Sequence, residues 1–233
     1  MSRSKRTIWA LIPAAGIGSR MQAELPKQYL KIDGKTILEH SLSKFLQHSS
    51  IDKVVVALDP NDNHWAKLNV AKHPKIITVE GGESRAESVL NGLQAIHQHD
   101  GGNDWVMVHD AARPCLDSAS IDALIQGAKD SEHGAILAVP SVDTVKLANS
   151  SQRIDKTLNR ERIWLAQTPQ YFSVARLTKA IDSGLKQGLL ITDEASAIEA
   201  QGQQPALVIG SRKNIKVTEP EDMMLASVWL STS

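Results

Sequence analysis

Short apolar runs alternate with segments of helical period along most of this chain, and that alternation limits what it can fold into. Residues 7–13 (TIWALIP) read as a buried strand, and 53–58 (KVVVAL), 76–79, 104–109 (DWVMVH) and 135–139 repeat the pattern, the last ended by Pro140. Helices fall between them. Thr36-Ile37-Leu38-Glu39 has capping-box spacing and opens a helix with Leu38, Leu42, Phe45 and Leu46 on one face. Ser84-Arg85-Ala86-Glu87 repeats the device ahead of Val89, Leu90, Leu93 and Ile96, and 121–128 also reads as helical. Strand followed by helix, over and over, requires βαβ crossovers. The fold expected is α/β and Rossmann-like, a mostly parallel sheet with helices on both faces. Such sheets bind ligands beyond the carboxyl ends of their strands, so the loops that follow strands should hold the chemistry.

The rhythm breaks at 141–162, a polar stretch with no long apolar face. Asn149-Ser150-Ser151-Gln152 makes a turn between two extended arms, which predicts a protruding β-hairpin. The parent pattern resumes at Ile163, with helices expected at 174–186 and 193–201 and a strand at 205–209. Thr218-Glu219-Pro220-Glu221 reads as a third capping box, with proline in the first turn of a last helix carrying Met223, Met224, Leu225, Ala226 and Val228. With no repeat, low-complexity tract or linker, residues 1–233 read as one domain and 141–162 as an arm inserted in it.

Charge and cysteine content exclude several classes of function. Lys+Arg and Asp+Glu both number 26, and no basic run is present, so a nucleic-acid partner is not expected. Cys115 is the only cysteine, which rules out an intrachain disulfide and Cys-rich metal sites and suits a small core residue. The apolar run after the basic start is too short for a signal peptide and ends at Pro13, and no window approaches a membrane span. The reading is a cytoplasmic enzyme.

The first strand runs into Pro13-Ala14-Ala15-Gly16-Ile17-Gly18-Ser19-Arg20-Met21, and Pro26-Lys27-Gln28 follows. Small residues after a buried strand let backbone N–H groups close on an anion, and Arg20 and Lys27 add two cations, a combination suited to polyphosphate. A dinucleotide fold would want a third glycine where Met21 stands, and a Walker loop would end in Gly-Lys-Ser/Thr, which is absent. A plain turn with two solvated cations is the bland alternative.

The string resembles the signature of nucleoside-triphosphate transferases that attach a nucleotide to a sugar phosphate. Four further motifs sharpen the resemblance: Gly81-Gly82-Glu83-Ser84-Arg85-Ala86-Glu87-Ser88-Val89, Val108-His109-Asp110-Ala111-Ala112-Arg113-Pro114, Thr192-Asp193-Glu194-Ala195-Ser196 and Asn214-Ile215-Lys216-Val217-Thr218. With these, nearly the whole chain is similar to the 2-C-methyl-D-erythritol 4-phosphate cytidylyltransferase family, whose members perform the CTP-dependent step of the non-mevalonate isoprenoid pathway.

The resemblance implies roles. Pro13, Ala14, Ala15, Gly16 and Gly18, with Gly81, Gly82, Glu83 and Ser88, would bind the nucleotide, and Asp110, Arg113, Thr144 and Thr192 the polyol phosphate. Arg20 and Lys27 would act on the transition state, while Arg160 and Lys216 position the incoming phosphate. Mg²⁺ would bridge triphosphate oxygens, with Asp110 the only protein candidate for a ligand. The arm would reach across a homodimer and bring Thr144 and Arg160 to the neighbouring site. Asn159 departs from the family pattern, where an acidic residue is expected before that arginine. The substrate phosphate is already ionised near neutral pH, so no general base is needed, and His109, alternating with Asp110, should face away and be structural. A cytidylyltransferase for ribitol 5-phosphate and a catalytically silent nucleotide-binding regulator are the rival readings.

Overall fold

The computed structural model describes residues 7–16, 25–99 and 104–232. Strand β1 (Ile8–Pro13) lies at the heart of the sheet. Its period-2 alternation sends Ala10 and Ile12 into one apolar layer and Trp9 and Leu11 into the other. A small hairpin, β2 (Lys31–Ile32) and β3 (Lys35–Thr36), turns at Asp33-Gly34, both at positive φ. Such a turn suits Asp-Gly.

Helix α1 (Ile37–Gln47) starts at the predicted capping box, with the Thr36 side chain and Glu39 satisfying each other's orphan N–H groups. It buries Leu38, Leu42 and Phe45, each contributing about 2 kcal/mol of apolar burial. Strands β4 (Lys53–Leu58) and β5 (Ile76–Glu80) follow, then α2 (Arg85–Gln98), capped by Ser84 with Glu87. Next come β6 (Trp105–Val108), α3 (Ser118–Gly127) and β7 (Ala135–Pro140). The arm is the antiparallel pair β8 (Lys146–Ala148) and β9 (Ile154–Thr157), every residue of which is exposed. The chain returns through β10 (Trp164–Ser173), α4 (Val174–Lys186), α5 (Glu194–Glu199), β11 (Ala206–Ile209) and α6 (Pro220–Leu230).

The main sheet has seven strands in the order β11-β7-β10-β6-β1-β4-β5. Every pairing is parallel except those of β10, which runs antiparallel between β6 and β7. Residues of α1 and α3 cover one face, and those of α2, α4 and α5 the other. The carboxyl ends of β1, β4, β5 and β6 therefore open on one edge of the molecule, as the strand rhythm requires.

Three details differ from the sequence reading. Periodicity assigns no strand to 164–173, because polar Gln167, Thr168 and Gln170 and a proline interrupt the apolar run; the ladder absorbs them as a β-bulge between Ala166 and Gln170. The last helix is capped one residue later than expected: Glu219 is the N-cap, and Asp222 accepts from Thr218 N and Glu219 N. Lys216 does not sit in a short strand. It lies in an irregular segment held to the body by Val217 N donating to Ala112 O at 2.8 Å.

Candidate active site

A cleft of about 360 Å³ opens beyond the ends of β1, β5 and β6. Pro13 to Gly16 form one wall, Gly82 to Arg85 and Ser88 the opposite one, and Lys27, Gln28, Asp110 and Lys216 line the rest. Local chemistry explains each wall. Gln28 Nε2 donates to Ala14 O and Gly16 O, which fastens the loop after β1 in place. Gly81 packs beneath that loop: a Cβ there would overlap the Ala15 methyl, so only glycine lets the two loops approach this closely. Ser88 is buried, accepts from Gly82 N at 3.1 Å and donates to Ser84 O at 2.9 Å. Its hydroxyl thus shapes the loop.

A second cavity of about 200 Å³ adjoins the first and shares Arg85, Asp110 and Lys216 with it. Arg113, Gln167, Thr168, Gln170, Thr192 and Asp193 supply most of the rest of its lining. Asp110 stands in the common wall. Arg85 Nε donates to its Oδ1 at 3.0 Å, Lys216 Nζ to its Oδ2 at 2.9 Å, and Arg113 Nε lies 3.6 Å from Oδ2. Its backbone N donates to Thr168 Oγ1. Burial alone would raise the Asp110 pKa, but Arg85 and Lys216 outweigh it and hold the carboxyl well below the usual carboxylate range. Arg85 also forks onto Glu194 at 2.7 and 3.2 Å, and Glu194 is fully buried.

Arg113 Nη1 donates to Asn214 O at 2.7 Å, bracing the segment that presents Lys216. Lys27 Nζ lies 3.4 Å from Val217 O in that same segment. Four cations (Lys27, Arg85, Arg113, Lys216) line the two cavities beside the carboxylates of Glu83, Asp110 and Asp193, and three of them converge on Asp110 where the cavities meet. Preplaced cations of this kind stabilise charge that develops on a phosphate.

His109 is buried, hydrogen-bonded to Arg113 O and Thr168 Oγ1, and pushed down by burial to about 4. It stays neutral and faces away from the cleft linings, as its alternation with Asp110 suggests. Cys115 packs in a small apolar cluster with Ile32, Ile37, Val217 and Ala226, and burial raises its thiol to about 11.

The family described as 2-C-methyl-D-erythritol 4-phosphate cytidylyltransferase matches residues 8–232. The enzyme of that name from Vibrio vulnificus (strain YJ016) is 52% identical over 231 residues, covering 99% of this chain and 98% of the relative. This chain belongs to the 2-C-methyl-D-erythritol 4-phosphate cytidylyltransferase family. The Shewanella halifaxensis (strain HAW-EB4) member is 50% identical over 233 residues, with all of both chains covered. The crystal structure of the Francisella tularensis member superposes with a TM-score of 0.82 at 41% identity, covering 96% of this chain and 99% of that one. The Rossmann-like sheet is thus the fold of the family.

Against the family frame, the structure brings together most of the expected residues. Lys27, Lys216 and Asp110 line the larger cleft with Pro13, Ala14, Ala15, Gly16, Gly82, Glu83 and Ser88, while Gly81 packs against Ala15 of its wall. Arg113 and Thr192 line the second cavity. Gly18 and Arg20 lie outside the described residues. Thr144 and Arg160 stand apart: both are exposed on the arm, neither lines either cavity, and Arg160 Nη1 donates to Val142 O. Several lining residues carry no site role in the sequence reading, among them Gln28, Arg85, Gln167, Thr168, Gln170 and Asp193. Arg85 and Thr168 could have been flagged only by knowing which loops meet, since each looks local in sequence, one inside a helix cap and one inside an unrecognised strand.

Proposed function

We infer that this chain transfers the cytidylyl group of CTP to 2-C-methyl-D-erythritol 4-phosphate, giving 4-CDP-2-C-methyl-D-erythritol and pyrophosphate in isoprenoid precursor synthesis. The observation that carries the reading is the pair of adjoining cavities joined at Arg85, Asp110 and Lys216, with cations gathered where two anions must meet. CTP fits the larger cleft. Its base lies between the loops after β1 and β5, where backbone groups separate amino from keto edges, and its triphosphate runs toward Lys27. The polyol phosphate takes the smaller cavity, its hydroxyls on Asp110 and Thr192 and its phosphate toward Lys216 and Arg113.

A substrate phosphate oxygen attacks the α-phosphorus in line. The new O–P bond forms as the bond to the β-phosphate oxygen breaks, and both electrons of that bond leave with pyrophosphate. No proton needs removing from the nucleophile. The barrier is chiefly the approach of two anions, and preplaced cations reduce it by about 3 kcal/mol each. Lys27 and Arg20 act on the transition state, while Lys216 orients the attacker.

Among the described residues, no group of three His, Cys, Asp or Glu side chains could cage a metal. Asp110 offers a single carboxylate whose oxygens already accept from cations, and Glu83 is exposed. Mg²⁺ would be held chiefly by the nucleotide, with Asp110 the candidate protein ligand among the described residues, where it would neutralise triphosphate charge.

The arm argues for a homodimer. An isolated two-stranded hairpin is marginal in water, yet this one exposes Leu147 and Ile154, with Val142 and Leu165 exposed at its root. A second copy of the chain would cover these side chains and receive Thr144 and Arg160 in its substrate cavity.

Pyrophosphate release with CTP and a panel of polyol phosphates tests the reading. We expect turnover with 2-C-methyl-D-erythritol 4-phosphate and little with ribitol 5-phosphate. The reverse preference would move the chain to the rival substrate, and no release with any of them would reject catalysis.

A further inference from the structure

Arg85 is the first residue of α2 and Glu194 the first of α5, so the fork between them ties two helix starts that lie far apart in sequence. Each start is itself fixed. Ser84 and Glu87 close a capping box on α2. Gln170 holds α5 from β10, its Nε2 donating to Asp193 Oδ2 and its Oε1 accepting from Ala195 N. Between these anchors the guanidinium spends Nε on Asp110 and Nη1 and Nη2 on Glu194.

The arrangement is costly as scaffolding. Burying charged groups has a desolvation cost of several kcal/mol per ion, and well-packed apolar residues of similar volume would stabilise the fold at least as well. A cation at a helix N-terminus also opposes the helix dipole. Glu194 has a side chain 1% exposed, so it touches no solvent and no bound substrate. Arg85, 30% exposed, forms wall in both cavities. A buried charge whose partner reaches the point where two cavities meet is placed for the site.

We propose that Glu194 and Arg85 form a positioning pair for cytidylyl transfer. Glu194 locks the guanidinium, and the guanidinium fixes the Asp110 carboxylate in the wall between the nucleotide and polyol-phosphate cavities. Lys216 holds the other Asp110 oxygen, and its ammonium must also serve the incoming phosphate. Arg85 keeps Asp110 oriented when Lys216 turns to the ligand. Lysine cannot replace it, since one ammonium cannot meet Asp110 Oδ1 and both Glu194 oxygens in this geometry.

This inference rests on the cytidylyl-transfer reading, and one experiment separates the two. Steady-state pyrophosphate release is measured for the wild type, Glu194→Gln, Arg85→Lys and the double variant, varying CTP and 2-C-methyl-D-erythritol 4-phosphate in turn, with melting temperature recorded for each. The expected result is a fall in kcat of about 10- to 100-fold for each single variant, with the KM for CTP within about threefold of wild type. The double variant should be no slower than the worse single one, because both changes disable one device. Arg85→Lys keeps the charge and the aliphatic stem, so it carries the test should Glu194→Gln fail to fold. Lowered melting temperature with kcat unchanged would reduce the pair to scaffolding and overturn the proposal, as would multiplicative losses in the double variant. An inactive wild type would overturn the parent reading and this one with it.

Discussion

Lys27 enters the cleft from the turn after Pro26, and its contact with Val217 O is long at 3.4 Å. A cation preplaced in the cleft acts on charge that develops in the transition state. The ammonium should therefore work hardest where charge builds during transfer. Lys27→Ala is expected to lower kcat about 10²- to 10³-fold while changing CTP affinity much less. Steady-state kinetics beside direct CTP titration checks this, and a loss confined to binding would take Lys27 out of the transition state. Single residues were legible in sequence where motif and strand end coincide: Asp110 lies two residues past the end of β6, and the loop after β1 lies where Ala14 and Gly16 predict it. Arg85 was not legible as a wall residue. Its capping box explains the surrounding sequence completely, and only the fold shows that α2 starts opposite α5 and beside Asp110.

Elements were legible wherever one periodicity ran unbroken between clear stops. The capping boxes at Thr36 and Ser84 mark helix starts to the residue, and β4 matches its apolar run. β10 shows the limit: its ladder partners bury it, so its polar side chains bond within the sheet and the site, and no alternation survives to be read. The glycine loops bring a sharper contrast. At Gly81 an added methyl would meet Ala15, and through it the wall of the cleft, whereas at Gly16 no atom of the described residues lies within 4 Å. Gly81→Ala should cost about 1–3 kcal/mol of stability by overpacking, and raise the KM for CTP about tenfold as Ala15 is displaced into the site. Gly16→Ala should leave the melting temperature where it was. Thermal unfolding of the two variants decides the matter, and equal melting temperatures would mean that the close approach of the two loops has no structural consequence.

At the scale of the whole molecule, the arm separates two residues from the work expected of them. Thr144 and Arg160 are exposed on the arm and line neither of the two cavities described above, while Asp110 and Lys216 lie in a cavity that the arm's root borders. The proposed closed two-fold pairing would resolve this, because each arm would then serve the other body. The purpose proposed for the arm comes only from the resemblance, since exposed polar sequence looks the same whether it contacts solvent or a partner. If the site is shared, Arg160→Ala should raise the KM for the polyol phosphate and leave that for CTP nearly unchanged. An Asp110→Asn variant should be crippled through its own body. Mixed after dissociation, the two should form hybrids in which one site carries both lesions and the other carries none. With random pairing, half the dimers are hybrids and half the sites in those are intact, so activity should return to about a quarter of wild type. Sites built within one chain would leave every site in the mixture with one lesion, and mixing would restore nothing.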